Sequence, residues 1–296
     1  MTQIHIMALR HSAFYSPLLM TMAGGFLKDE GLVHTYAVAT PARSVPASLK
    51  DGSCHVAQSA VATSFAELEK GVRPDIVHFA QINERDGFFL AGRFPEPDFQ
   101  WSRLVGRTVL VDHFFQPMAM FKYALHRQGV DFARIKVIDA GEVEAIDHAF
   151  RCGEGDYVHQ QGPAPQQLER DGLGHVVAAV GNIIGSVAFS SLCAPRDWLD
   201  SEMAKAFTRA YRRARAFVAT APAQEIAARE TEAGFFPGIG RDVLANTIAA
   251  YQRLGCWTGD VAISRDAYAR LLDVFLHSAG ITRRHAYEAA IVPPPA

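Results

Sequence analysis

Three histidines stand in separate polar segments of the chain, His11, His113 and His159, with the aromatic pairs Phe14-Tyr15 and Phe114-Phe115 close by. Imidazole titrates near neutrality, so such a set could move protons, fill an open zinc or iron site, or hydrogen-bond a ligand. No HxH or HxxxH pair occurs, so spacing gives the metal little support, and hydrogen-bonding histidines that share a cleft are the plainer reading. Ser44, Gln58, Ser59, Asn83, Gln116 and Gln160 add hydroxyls and amides at similar places. Hydroxyls, amides, imidazoles and rings together suit a small polar or heteroaromatic ligand. Arg10 and Arg43 are the positive charges beside these segments, and either could pair with an anionic ligand, although arginine is more often a surface residue. GxSxG, HExxH and P-loop patterns are absent, so no catalytic residue is assigned.

The elements that must hold these residues alternate. Strand patterns fall at Ile4–Leu9, Val33–Ala39, His55–Ser59 and Ile76–Ile82. A second set falls at Phe88–Arg93, Thr108–Asp112, Ile135–Ala140, Tyr157–Gln161 and His175–Val180, and Ser186–Ala194 reads as one more. Helical patterns separate them, starting with Ser16-Pro17, where serine suits an N-cap and proline the first helical position. Others cover 44–50, 60–70, 117–128, 142–151 and 163–170. Strand–helix alternation predicts βαβ units and a largely parallel sheet. In such sheets the ligand lies beyond the carboxyl ends of the strands. Tyr15, Ser59, His113 and His159 each follow or close a strand, so they are expected in one pocket between the lobes, with His11 in a loop of the same set. Past residue 199 the chain reads as helices, with Leu199, Met203, Phe207, Ala210, Ala214 and Phe217 on one stripe. Arg209, Arg212, Arg213 and Arg215 lie mostly off that stripe and read as a solvated face.

The chain has 296 residues, 49% hydrophobic and 20% charged, with net charge −2. That is the composition of a globular protein, and it lacks the basic field that nucleic acid requires. No apolar run is long enough to span a bilayer. Cys54, Cys152, Cys193 and Cys256 are far apart and read as free thiols. The start, Met1-Thr2-Gln3 running into a strand, has no secretory pattern, so the chain as it stands reads as cytoplasmic, or as periplasmic if an export segment precedes it.

Several segments, in order, resemble the NMT1/THI5-like (SsuA-like) substrate-binding proteins of nitrate, sulfonate, taurine and thiamine-pyrimidine ABC transporters. They are Phe14-Tyr15-Ser16-Pro17-Leu18, Ala23 through Leu32, Leu49 through Ala57 (with His55 where an aspartate is usual) and Leu104 through Val109. The resemblance covers nearly the whole chain. It implies a type II periplasmic-binding-protein fold: an α/β architecture with two lobes, a ligand cleft between them and a helical C-terminal segment. Lobe 1 would take residues 1–83 and 186–296, and lobe 2 would be inserted as 84–185. Crossover strands would lie near Gln81–Phe88 and Gly181–Val187, with Gly87, Gly181 and Gly185 either absorbing a hinge rotation or making turns. The implied function is non-catalytic solute binding, and an ABC-transporter permease is the expected partner if the protein is exported. Some relatives make a thiamine pyrimidine with a pyridoxal-phosphate lysine and a histidine, and those two positions fall on Ser59 and Thr63 here. Serine cannot form a Schiff base, so no cofactor is expected. An enzyme adapted to the same cleft, using His113 or His159 as acid or base, is the competing reading.

Overall fold

The computed structural model describes residues 1–296. The first half of the chain lays down β1 (Thr2–Ala8), β2 (Leu32–Val38), β3 (Val56–Ser59) and β4 (Ile76–Asn83). The middle lays down β5 (Phe88–Gly92), β6 (Thr108–Val111), β7 (Lys136–Ile138), β8 (Tyr157–Gln161) and β9 (His175–Ala179). The chain then returns as β10 (Ser190–Pro195) to the first set. Two five-stranded sheets result, ordered β2-β1-β3-β10-β4 and β7-β6-β8-β5-β9.

Each sheet is parallel except for one strand. β10 runs antiparallel to β3 and β4, and β5 runs antiparallel to β8 and β9. These are the strands that enter from the other sheet, so they arrive from the opposite direction. Hydropathy carries no strand direction, and the sequence pattern therefore missed both.

The connections between the sheets also differ from expectation. The first is a short loop, Glu84–Gly87, and the second includes a helix, Val180–Ile184, rather than a strand. Gly181 packs on the Asp86 backbone and Gly87 against the Phe14 ring, so close that a Cβ at either position would overlap them. Glycine is needed here because the backbones approach. Only Gly185 among the three takes a left-handed φ, +78°.

Helices cover both sheets. Ser44 and Ser264 cap their helices by accepting hydrogen bonds from Ala47 N and Ala267 N. Ser16 does not serve as a cap: it is the first residue of the helix Ser16–Ala23, and its Oγ donates to Ala13 O at 2.8 Å. In the long helix Glu202–Thr220 the buried stripe runs through Ala204, Phe207, Ala210, Tyr211, Ala214 and Val218. Leu199, Met203 and Phe217 sit at its half-buried edge. Arg209, Arg212 and Arg213 pair on the surface with Glu30, Asp260 and Asp29. Arg215 departs from that face. It is buried, donating to Glu84 Oε1 at 3.1 Å and to the carbonyls of Thr258 and Gly259. It thereby ties the first connection to the C-terminal helices.

One core cluster of 69 buried residues joins both sheets, including Phe14, Phe79, Phe121, Phe207 and Tyr251. The four cysteines are free, and Cys152 alone is exposed. No helix is long and apolar enough to cross a membrane.

Candidate functional site

The carboxyl ends of β1, β2, β6 and β8 open on one cavity of 640 Å³. This is where helix N-termini and loop side chains converge in an open α/β sheet, and the volume falls in the range of small-molecule sites. Two other hollows, of 420 and 460 Å³, lie away from these strand ends. Leu9, Arg10, His11 and Ser12 line the cavity from the first sheet. Asp112, Glu142, Gln160 and Gln161 line it from the second.

An ion pair crosses between the two sheets at this point. Arg10 Nη1 lies 2.5 Å from Asp112 Oδ2, and Nη2 lies 3.2 Å from Oδ1. Asp112 Oδ1 also accepts from Phe114 N at 3.0 Å, and the guanidinium lies 4.3 Å from the centre of the Phe114 ring. Burial opposes the charge on Arg10, but the hydrogen bond and charge of Asp112 outweigh it and hold its pKa above the ordinary value. A two-pronged contact of this kind fixes geometry as well as charge.

The first-sheet wall is saturated with hydrogen bonds. His11 Nε2 donates to Phe235 O at 2.6 Å, which leaves Nδ1 to accept from Tyr36 Oη at 2.9 Å. Burial lowers the His11 pKa, so the ring is neutral at neutral pH. Ser12 Oγ donates to Gly162 O at 2.8 Å, and Gly162 N donates to Tyr251 Oη at 2.8 Å. Gln58 Oε1 accepts from the amides of Leu9 and Arg10.

The second-sheet wall is different. Gln160 is 2% exposed, yet neither Nε2 nor Oε1 has a partner. Such a group is costly to bury unpaired, about 1–3 kcal/mol.

A smaller cavity of 60 Å³ shares Leu9, Arg10 and Gln161 with the larger one. Tyr15, Phe88, Phe114, Phe115 and Phe189 give it an aromatic lining, with Gln58 and Gln116 at its polar side. It is too small for a ring. Gln116 Nε2 donates to Phe189 O at 2.6 Å, and its Oε1 is left unpartnered.

Of the residues expected to form the site, His11 and Gln160 therefore line the large cavity, and Tyr15, Gln58, Phe114 and Gln116 line the small one. The other six line neither. Phe14 is core, packed under Gly87 and on Tyr251. Ser44 is an exposed helix cap. Ser59 faces a separate 120 Å³ hollow, with its Oγ 3.4 Å from Thr63 Oγ1. Asn83 is buried, donating to Ser190 Oγ and accepting from Trp257 Nε1. His113 turns outward to Asp139, at 2.8 Å.

His159 is fully buried between the rings of Phe88 and Phe121, each 4.7 Å away. Burial lowers its pKa to about 4. The expected convergence of Tyr15, Ser59, His113 and His159 in one pocket does not occur. On a strand, successive side chains face opposite sides. His159 therefore enters the core, and Gln160, on the opposite face of the strand, is among the residues that line the cavity. The rings likewise leave the large cavity to aliphatic and polar groups.

Sequence reasoning offers Arg10 as a possible partner of an anionic ligand, with a surface role as the commoner outcome, and does not single out Asp112 or Gln161. Position at a strand end was the available signal for all three.

The family model described as NMT1/THI5 like matches residues 13–225. The chain belongs to the NMT1/THI5-like family. It is 26% identical over 289 residues to the Bacillus subtilis (strain 168) protein called "Putative binding protein YtlA", covering 96% of this chain and 86% of that one. Among solved structures, the alkanesulfonate-binding protein SsuA from Xanthomonas axonopodis pv. citri, bound to MOPS, matches with a TM-score of 0.74. Its identity is 14%, over 99% of both chains. The desulfurization enzyme DSZB matches with a TM-score of 0.69 and 11% identity, over 99% of this chain and 97% of its own. These likenesses establish the type II periplasmic-binding-protein fold for this family member. The same fold carries both binding proteins and an enzyme.

Proposed function

We propose that this NMT1/THI5-like protein binds a small polar organic solute in the 640 Å³ cavity and releases it unchanged. The supporting observation is Gln160, a cavity-lining residue whose buried amide has neither polar atom paired. A bound solute would supply the missing partners once the amide turns toward it. His11 and Gln160 would contact it from opposite walls, with Tyr15, Gln58, Phe114 and Gln116 behind the Arg10–Asp112 pair. The name of the B. subtilis relative agrees with binding, as does the placement of His113 and His159 outside both cavities. Those two are the residues that an acid–base enzyme on this cleft would have used.

The lobes of this reading are residues 1–83 with 186–296, and 84–185. A ligand touching both favours the closed arrangement, because only that arrangement offers all its contacts. If the protein is exported, an ABC-transporter permease receives the ligand.

The test is a thermal-shift screen with amines, sulfonates, carboxylates and pyrimidines, followed by recovery of each stabilising compound. Stabilisation with the compound recovered intact supports binding. Recovery of an altered compound overturns it in favour of the enzyme reading.

A further inference from the structure

The charges around the cavity select among solutes. Four carboxylates line it, Asp112, Glu142, Glu144 and Asp147, against two guanidiniums, Arg10 and Arg151. Both guanidiniums are already engaged. Arg10 is held by both oxygens of Asp112. Arg151 donates to Asp147 at 2.5 Å and to Asp171 at 2.7 Å. Glu142 and Glu144 have no ion-pair partner, and His11 is neutral.

Helix N-termini attract anions, and the helix Val143–Arg151 begins at this wall. Its N-cap position is Glu142 and its first turn contains Glu144. Two full negative charges exceed the half charge of a helix end. An incoming sulfonate or nitrate would meet carboxylates where it needs bare amides.

The remaining lining defines the rest of the ligand. Leu9, Val38, Ile146 and Ile239 are aliphatic, so an organic body is accommodated. His11 is the only aromatic ring in the lining, and a quaternary ammonium would want a fuller aromatic face. Unpaired Gln160 Oε1 is instead an acceptor for an N–H donor, and its Nε2 is a donor to a ligand acceptor.

From the unpaired carboxylates, the unpartnered buried Gln160 and the aliphatic lining, we infer that the cavity takes a small organic cation bearing N–H donors, a protonated amine or guanidine. This rests on the solute-binding reading above.

The experiment is calorimetric titration of the full chain with 1,4-diaminobutane, agmatine and ethanolamine, beside 1,4-butanedisulfonate, ethanesulfonate and nitrate. At least one amine should bind, more tightly at low than at high salt, and the sulfonate of like skeleton should bind at least about tenfold more weakly. The double variant Glu142→Gln/Glu144→Gln should lose about tenfold in amine affinity, the worth of two partly exposed ion pairs. Its melting temperature should fall only slightly, because neither carboxylate forms an ion pair and only their attraction to the helix end is lost. Gln160→Leu should weaken the amine as well. Binding of a sulfonate or nitrate in preference to the amines, strengthened in the double variant, would overturn the charge assignment and leave solute binding standing. Failure of every amine would also overturn the assignment. Amine binding that ignores all three substitutions would place the cation elsewhere and overturn the site.

Discussion

The two walls of the cleft are built on the same plan and finished differently. Both come from five-stranded sheets with the same order and one antiparallel strand in the fourth place. On the first-sheet wall, His11, Ser12 and Gln58 all have protein partners. On the second-sheet wall, Gln160 has none, and Glu142 and Glu144 form no ion pair. A wall whose hydrogen bonds are complete is pre-organised and adds little discrimination. A wall with free donors, acceptors and charge is where an incoming molecule changes the energy. On the proposed reading, selectivity belongs to the second sheet and rigidity to the first.

The sharpest way to break this contrast is to cut the contact that joins the walls. Asp112→Ala leaves the Arg10 guanidinium partly buried and unpaired, with side-chain exposure of 21%. Destabilisation by about 3 kcal/mol is expected in urea unfolding, because removing one partner strands the other. A loss below 1 kcal/mol would mean that the walls are not coupled through this pair.

The next effect depends on pH. Folded His159 titrates at about 4, whereas an unfolded histidine titrates at about 6.5. Between those values the unfolded chain binds the proton and the folded chain does not. The contribution is complete above pH 6.5 and is lost as pH falls toward 4. His159→Phe should remove about 2–3 kcal/mol of the stability lost between pH 6.5 and 4, compared with the wild type. The comparison isolates His159, since buried His78 has the same sign and buried Asp86, raised to about 8, the opposite sign in both proteins. Equal acid loss in the variant would show that His159 faces water, as a ligand-binding residue would.

A smaller pair of effects tests the contrast itself. His11→Ala breaks hydrogen bonds to Tyr36 and Phe235 and should cost about 1–2 kcal/mol in the ligand-free protein. Gln160→Leu breaks none and should change the ligand-free stability by less than about 0.5 kcal/mol, or raise it. Similar losses in both would erase the difference between the walls. The smallest effect is expected at His113→Ala, within about 0.5 kcal/mol, because its pair with Asp139 is exposed on both sides.

These contrasts also show what a sequence carries. All ten strands lie where β-branched and apolar runs predict them, within a few residues at their ends. The loops at the carboxyl ends of β1 and β8, chosen by the rule for open α/β sheets, do line the candidate cavity. Facing was not. Phe14 and Tyr15 are adjacent, and so are His159 and Gln160, and in each pair one residue enters the core while its neighbour reaches a cavity. The sequence reading names both members of the second pair, and only Gln160 lines a cavity. The direction of β5 and β10 was hidden because it depends on which sheet the chain has just left. The Arg10–Asp112 pair, 102 residues apart, needs both sheets in place before it exists.

The most direct measurement is a crystal structure of the protein with a solute that stabilises it. The ligand should lie in the 640 Å³ cavity with a polar atom within hydrogen-bond distance of the Gln160 amide. A ligand bound elsewhere, with Gln160 still unpartnered, would contradict the account.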